Sequence, residues 1–190
     1  MTVAERMTRY EQAPVRFKAD EFMELIKHPP LADWLGKIEL VRGAIVHMAP
    51  ADIPHWNAQR IVQLHLQSIF APLGPDWVVG TEPTVRLGGD TIREPDVAVL
   101  RDPDLSGTIF DRIALFLAVE IADTSLSIDR GSKLRDYAEA FVPHYWIVDL
   151  NGRQVFVNEQ PRGGRYDSGR LVTFGEPIPV PGTDATITIE

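Results

Sequence analysis

Residues 113–121 (Ile-Ala-Leu-Phe-Leu-Ala-Val-Glu-Ile) carry a single charge, Glu120, in a run that otherwise reads as a strand buried on both faces. Short, continuous apolar runs rich in aliphatic and aromatic residues mark central strands. A carboxylate in such a place costs several kcal/mol unless a cation or hydrogen-bond donors compensate it. Any fold available to this chain must therefore bring Glu120 a partner.

The segments around it predict a mixed α/β pattern without repeating βαβ units. Asp20 reads as the N-cap of a short helix over residues 21–27, stopped by Pro29 and Pro30. Residues 38–41 and 44–48 read as two strands turning at Arg42-Gly43. Residues 53–70 form the strongest amphipathic helix, with Ile61, Val62, Leu64, Leu66 and Ile69 on the apolar side and Asn57, Gln59, Arg60, Gln63 and Gln67 opposite. Strands are expected at 77–80, 83–87, 96–100 and 113–121, with a hairpin at Gly88-Gly89. A second helix over 129–141 follows, with Leu134, Tyr137, Ala138 and Phe141 on one stripe. Strands at 145–149 and 154–157 meet at the Asn151-Gly152 turn, and two short ones follow at 171–174 and 185–189. Residues 1–16 read as a loose lead-in and 17–190 as one domain.

Composition narrows the function classes. The chain of 190 residues has no cysteine, which excludes disulfides and thiolate chemistry. No apolar run approaches the roughly 18 residues of a membrane span, and the first ten residues lack the apolar core of a secretory signal. The expectation is a cytoplasmic protein that engages no membrane. A net charge of −8 weighs against a protein that coats nucleic acid with a broad basic face. It leaves room for a nuclease, whose acidic metal site lowers the net charge; Arg42, Arg60, Arg93, Arg130 and Arg135 are candidates for a local binding patch.

Asp96 opens one strand, Glu120 sits near the end of the next, and Lys133 lies one turn into the following helix. Two carboxylates at adjacent strand ends suit Mg²⁺ or Mn²⁺, which take oxygen ligands and keep several waters. The Ile121 carbonyl can add a third oxygen, and a nearby ammonium can stabilise charge developing on a phosphate. Two readings of Lys133 stand: an inward catalytic ammonium, or an exposed i,i+4 partner of Asp129. Asp129 reads as an N-cap before a ligand, Tyr137 and Trp146 as core, and His55 as structural or substrate-facing.

The pieces also occur in a telling order. Ile38-Glu-Leu-Val-Arg-Gly43 and His47-Met-Ala-Pro50 precede His55, Glu94-Pro-Asp-Val97 and Leu117-Ala-Val-Glu-Ile121. Ser125, Asp129-Arg-Gly-Ser-Lys133, Tyr137 and Tyr145-Trp-Ile-Val-Asp149 complete the series. Over about residues 17–158 the chain thereby resembles the Uma2 (DUF820) family of endonucleases, in the PD-(D/E)xK restriction-endonuclease-like superfamily. The resemblance implies a central mixed sheet flanked by helices, with extra β-hairpins. It implies metal-binding roles for Asp96 and Glu120, and Glu39 as a further metal or water ligand. The superfamily lysine falls two residues after the strand acid, where this chain has Ala122; Lys133 matches the helical position that replaces it.

The expected function is metal-dependent phosphodiester hydrolysis, with DNA as partner and a homodimer as the form that cuts two strands. An inactive nuclease-like binding module is the competing reading. An unrelated metal-dependent hydrolase of small phosphorylated substrates is a third.

Overall fold

A computed structural model describes residues 14–28 and 37–190. Most of the predicted lead-in, and the Pro29-Pro30 stop, lie outside the described residues. The first helix, α1 (Ala19–Leu25), begins one residue before Asp20, and the Lys18 N–H donates to Glu21 Oε2 at 2.8 Å.

Six strands build the large sheet: β3 (Trp77–Thr81), β6 (Val97–Arg101), β8 (Leu115–Ala122), β9 (His144–Asp149), β10 (Gln154–Arg162) and β11 (Arg165–Thr173). Their order is β11-β10-β9-β8-β6-β3, and only the central β8–β9 pair is parallel. Alternate residues of these strands face opposite layers, as a pleated strand requires. Val97, Val99, Leu117, Val119, Ile121, Trp146 and Val148 pack with Ala58, Val62, Leu66 and Phe70 of α2 (Ile53–Phe70). Ala98, Leu100, Ala118, Ala122, Tyr145 and Ile147 turn the other way, toward Tyr137 and Ala140. Each fully buried aliphatic side chain contributes about 1.5–3 kcal/mol, so the buried β8 run anchors both layers.

The small sheet orders β1 (Ile38–Val41), β2 (Ala44–His47), β4 (Val85–Arg86), β5 (Ile92–Arg93) and β7 (Phe110–Asp111) as β2-β1-β5-β4-β7. Phe22 of α1 covers Ile38, Leu40 and Ile92. A last hairpin pairs β12 (Ile178–Pro179) with β13 (Thr186–Ile187). The β1–β2 turn has φ of 50° at Arg42 and 80° at Gly43, the left-handed pair that a two-residue hairpin needs. A Cβ on Gly43 would also stand 2.8 Å from Arg16 Cβ. Gly43→Ala is therefore expected to lower the unfolding free energy by about 1–2 kcal/mol, read by urea denaturation. Unchanged stability would show that the strain and the contact relax.

Four expectations change. The buried strand starts at Leu115, because Asp111 Oδ1 accepts from the Ile113 N–H at 2.9 Å in a turn that leaves Ile113 83% exposed. The second helix breaks into α3 (Leu126–Ile128), a π-helical turn (Asp129–Lys133) and α4 (Leu134–Glu139). Phe141, at φ 59°, leaves its stripe for solvent. In α2 the inward line runs through Ala58, Val62, Leu66 and Phe70, takes in Gln59, and leaves Leu64 exposed. The short strands expected after Asn151-Gly152 merge into the long β10–β11 hairpin, turning at Gly163-Gly164.

Candidate functional site

The β6–β8 register pairs Val97 with Val119, which sets Asp96 across from Glu120 at the strand ends. There the ladder stops, and the Ile121 N–H donates instead to Asp96 Oδ2 at 2.7 Å. A strand residue's N–H and C=O share one side, so the Ile121 carbonyl faces the same edge. Helix α2 holds Asp96 from the other layer. Gln59 Nε2 donates to the Asp96 carbonyl at 2.9 Å, and His55 Nε2 stands 3.3 Å from Oδ2. Asp52 caps this helix by accepting the His55 N–H at 2.9 Å, which fixes the turn carrying His55.

Glu120 points to the opposite layer and is 1% exposed. Lys133 Nζ donates to its Oε2 at 2.7 Å and the Tyr137 hydroxyl to its Oε1 at 2.8 Å. The wide π-helical turn keeps both Asp129 and Lys133 buried, and Tyr137 follows on α4; such turns recur at functional sites. Tyr145 donates to the Asp129 carbonyl at 3.0 Å, satisfying the widened backbone. Asp129 is thus interior, not an N-cap. Its Oδ2 accepts from Ser125 Oγ at 2.5 Å, while Oδ1 faces Lys133 Nζ at 3.6 Å and has no hydrogen bond.

Electrostatics follow from this crowding. Burial pushes the Glu120 carboxyl up to about 8; Lys133 opposes that shift, while Asp96, Asp129 and Glu39 add to it. Burial alone would lower Lys133, yet the four surrounding carboxylates hold it above the ordinary lysine value, so it stays charged. Burial would likewise raise Asp96, but the His55 bond, the Lys133 charge and the Ile121 N–H keep it below the usual carboxylate range.

Glu39 is completely buried beside this group. Arg93 Nη1 donates to its Oε2 at 2.7 Å and the Glu94 N–H to its Oε1 at 2.9 Å. The same guanidinium reaches Asp136 Oδ2 on α4 through Nη2 at 2.6 Å and Nε at 3.2 Å. Arg93 is 2% exposed, so it cannot belong to a surface binding patch. Arg42 is committed too, to Asp136 at 3.2 Å and Glu139 at 2.9 Å.

Asp96, Glu120, Ile121 and Lys133 therefore gather at one strand end, with Glu39 tied to Arg93 alongside. His55, read from the sequence as structural or substrate-facing, grips Asp96, and Tyr137, read as core, grips Glu120; the grip of Gln59 on the Asp96 carbonyl carries no signal beyond its helical spacing. Among the described residues no three His, Asp or Glu side chains converge as a ready metal cage. The donor set still fits a hard divalent ion that keeps its waters. All hydrogen bonds to the Asp96 side chain among the described residues fall on Oδ2, the Ile121 carbonyl faces the same edge, and every donor is oxygen.

A family model described as "Uma2: Putative restriction endonuclease" matches residues 19–190. A crystal structure described as a "putative nuclease belonging to DUF820 from Anabaena variabilis ATCC 29413" is similar with a TM-score of 0.68 at 19% identity, covering 90% of this chain and 94% of that one. At that identity the likeness establishes a shared fold. No curated protein matches. With its mixed α/β fold and a family match across nearly all the described residues, the chain belongs to the Uma2 family.

Proposed function

We propose that this chain is a divalent-metal-dependent nuclease that hydrolyses phosphodiester bonds, with DNA the favoured substrate. The observation that carries the reading is the buried Asp96–Glu120 pair with the Lys133 ammonium 2.7 Å from Glu120. Neither carboxylate is needed there for packing, and burial opposes the ionised form of both.

Asp96, Glu120 and the Ile121 carbonyl would hold Mg²⁺ or Mn²⁺, which when bound supplies Lewis-acid stabilisation and a more acidic water. The remaining work falls to the protein's own groups. His55 and the Ile121 N–H fix Asp96 Oδ2, and Tyr137 fixes Glu120 Oε1, so neither carboxylate must reorganise during reaction. Lys133 has three N–H donors and spends one on Glu120. The others can reach a phosphate oxygen or orient the attacking oxygen. Lys133 thus takes the task that Ala122 cannot. Glu39 contributes negative charge to the same group through its field.

One such site cuts one strand; cutting both strands of a duplex would take two sites, which a homodimer would supply. A cytoplasmic setting suits a cysteine-free chain, and no helix among the described residues is long and apolar enough to cross a membrane.

The test is cleavage of supercoiled and single-stranded DNA with Mg²⁺ or Mn²⁺, beside calorimetric titration of the metal. Asp96→Asn and Glu120→Gln are each expected to lower cleavage at least about a hundredfold and to weaken metal binding. Cleavage indifferent to both substitutions sinks the site; nucleic-acid binding without cleavage under any metal favours the inactive module.

A further inference from the structure

Beside the site stands an aromatic ring outside the buried core clusters. Trp56 is 56% exposed on the first turn of α2, directly after His55, whose imidazole stands 3.3 Å from Asp96. Ile53, one turn before it, is 80% exposed. With Ala51, Asp52 and Pro54 these residues line a shallow recess of about 540 Å³. The Arg60 guanidinium lies 5.9 Å from the centre of the Trp56 ring and is steadied by Asn57 Oδ1 at 3.2 Å. An indole costs little conformational entropy to hold in place, and this one sits on a capped helix. The ring therefore offers a flat, pre-positioned face next to a cation, at the end of the helix that grips Asp96.

The charges elsewhere indicate what that face receives. Duplex binding draws its affinity from many unpaired cations laid along phosphates. In this chain of net charge −8, Lys37, Arg42, Arg86, Arg93 and Lys133 are each held in an ion pair with a carboxylate. A single strand is bound differently, by stacking unpaired bases on aromatic side chains with a few cations beside them. Trp56 with Arg60 is that arrangement in miniature.

We infer that Trp56 is a stacking platform for an unpaired nucleobase next to the scissile phosphate, so that the substrate enters the site single-stranded. Arg60 meets the phosphate flanking that base. The inference rests on the nuclease reading and adds the form of its substrate: a strand whose bases are free, DNA or RNA alike. A single chain then suffices for the cut.

The experiment measures fluorescence anisotropy of labelled dT20, U20 and a duplex of mixed sequence. It is run in Ca²⁺ and in EDTA, with the full chain and with Trp56→Ala, Trp56→Phe and Arg60→Ala. The wild type is expected to bind the single strands more tightly than the duplex. Trp56→Ala should weaken single-strand binding by about tenfold, and Trp56→Phe should retain most of it. The dT20 and U20 arms show which sugar is preferred. Because Trp56 is exposed, Trp56→Ala should melt within a few degrees of the wild type, so lost binding cannot be assigned to lost folding.

Single-strand binding unchanged in Trp56→Ala overturns the platform, as does a preference for duplex. If Asp96→Asn still abolishes cleavage in that case, the nuclease reading survives alone. Failure of the wild type to bind or cut any nucleic acid overturns both. Should Trp56→Ala convert a dimer to a monomer in sedimentation without altering oligonucleotide binding, the face belongs to a second copy and the inference falls.

Discussion

Arg93→Met is expected to cost about 3–5 kcal/mol of unfolding free energy. Arg93 is 2% exposed and spans two buried carboxylates, Glu39 at 2.7 Å and Asp136 at 2.6 Å. Methionine approximates its stem but leaves the buried Glu39 carboxylate without its cation and Asp136 with Arg42 alone, at 3.2 Å. Burial alone would lower the Arg93 pKa, but the two carboxylates hold it above the ordinary arginine value, so the guanidinium is charged at every accessible pH. The triad also carries position. Asp136 belongs to α4, Glu39 to β1, and Glu39 accepts the Glu94 N–H two residues before Asp96. Breaking it loosens the helix behind Lys133 and the strand entry before Asp96 together, so cleavage should fall even where the variant remains folded. Arg93→Lys keeps a charge but loses the fork that reaches both partners, and should fall between wild type and Arg93→Met. Urea denaturation measures all three; a loss under about 1 kcal/mol in Arg93→Met would mean that the carboxylates find other donors.

The same triad shows where a single sequence stops being legible. Glu120 can be found because it is a charge inside a β-period apolar run, and burial of β8 on both faces follows from that run. Helix α2 is equally readable, with its bounds set by the Asp52 cap and by Pro72 and Gly74. Arg93 reads as a surface cation because arginine usually is one; only the meeting of β1, β5 and α4, far apart in sequence, makes it interior. Gln59 fails for a related reason. Its polarity puts it on the solvent side of a helical wheel, although its spacing from Val62 and Leu66 puts it inside. What buries it is the Asp96 carbonyl, which accepts from Gln59 Nε2 at 2.9 Å beside the Glu82 N–H at 3.3 Å. The π-helical turn cannot be read from periodicity at all, since one widened turn shifts the register for the residues after it. Asp129 reads as a cap although the helical stretch already begins at Leu126, and Phe141 reads as core although the helix ends at Glu139 and Phe141 takes φ 59°; the first is buried and the second exposed. The β10–β11 hairpin is hidden too, because its outer strand is polar and exposed along most of its length and is held by backbone pairing.

Lys133 is where fold and chemistry can be separated by experiment. Lys133→Met removes the ammonium from the completely buried Glu120 carboxylate and should lower cleavage by about a hundredfold. Its effect on stability should depend on pH, and the direction follows from Glu120. In the folded chain burial pushes that carboxyl up to about 8, above its ordinary value of 4.5, so Glu120 favours the folded state most at low pH. That contribution declines as pH rises from the unfolded value and is exhausted once pH passes the folded one. Without Lys133 the carboxyl holds its proton to still higher pH. The wild type should therefore level off above pH 8, while Lys133→Met continues to lose stability by up to about 1.4 kcal/mol per pH unit. Glu120→Gln carries no such proton, and Glu120→Gln/Lys133→Met should be more stable than Lys133→Met alone at pH 9, although equally inactive. Denaturant midpoints at pH 6, 7.5 and 9, measured without divalent cation, read the whole cycle. Parallel curves for wild type and Lys133→Met across that range would mean that Glu120 does not depend on Lys133 for its charge, and that the 2.7 Å contact is not the pairing that keeps a carboxylate in this strand.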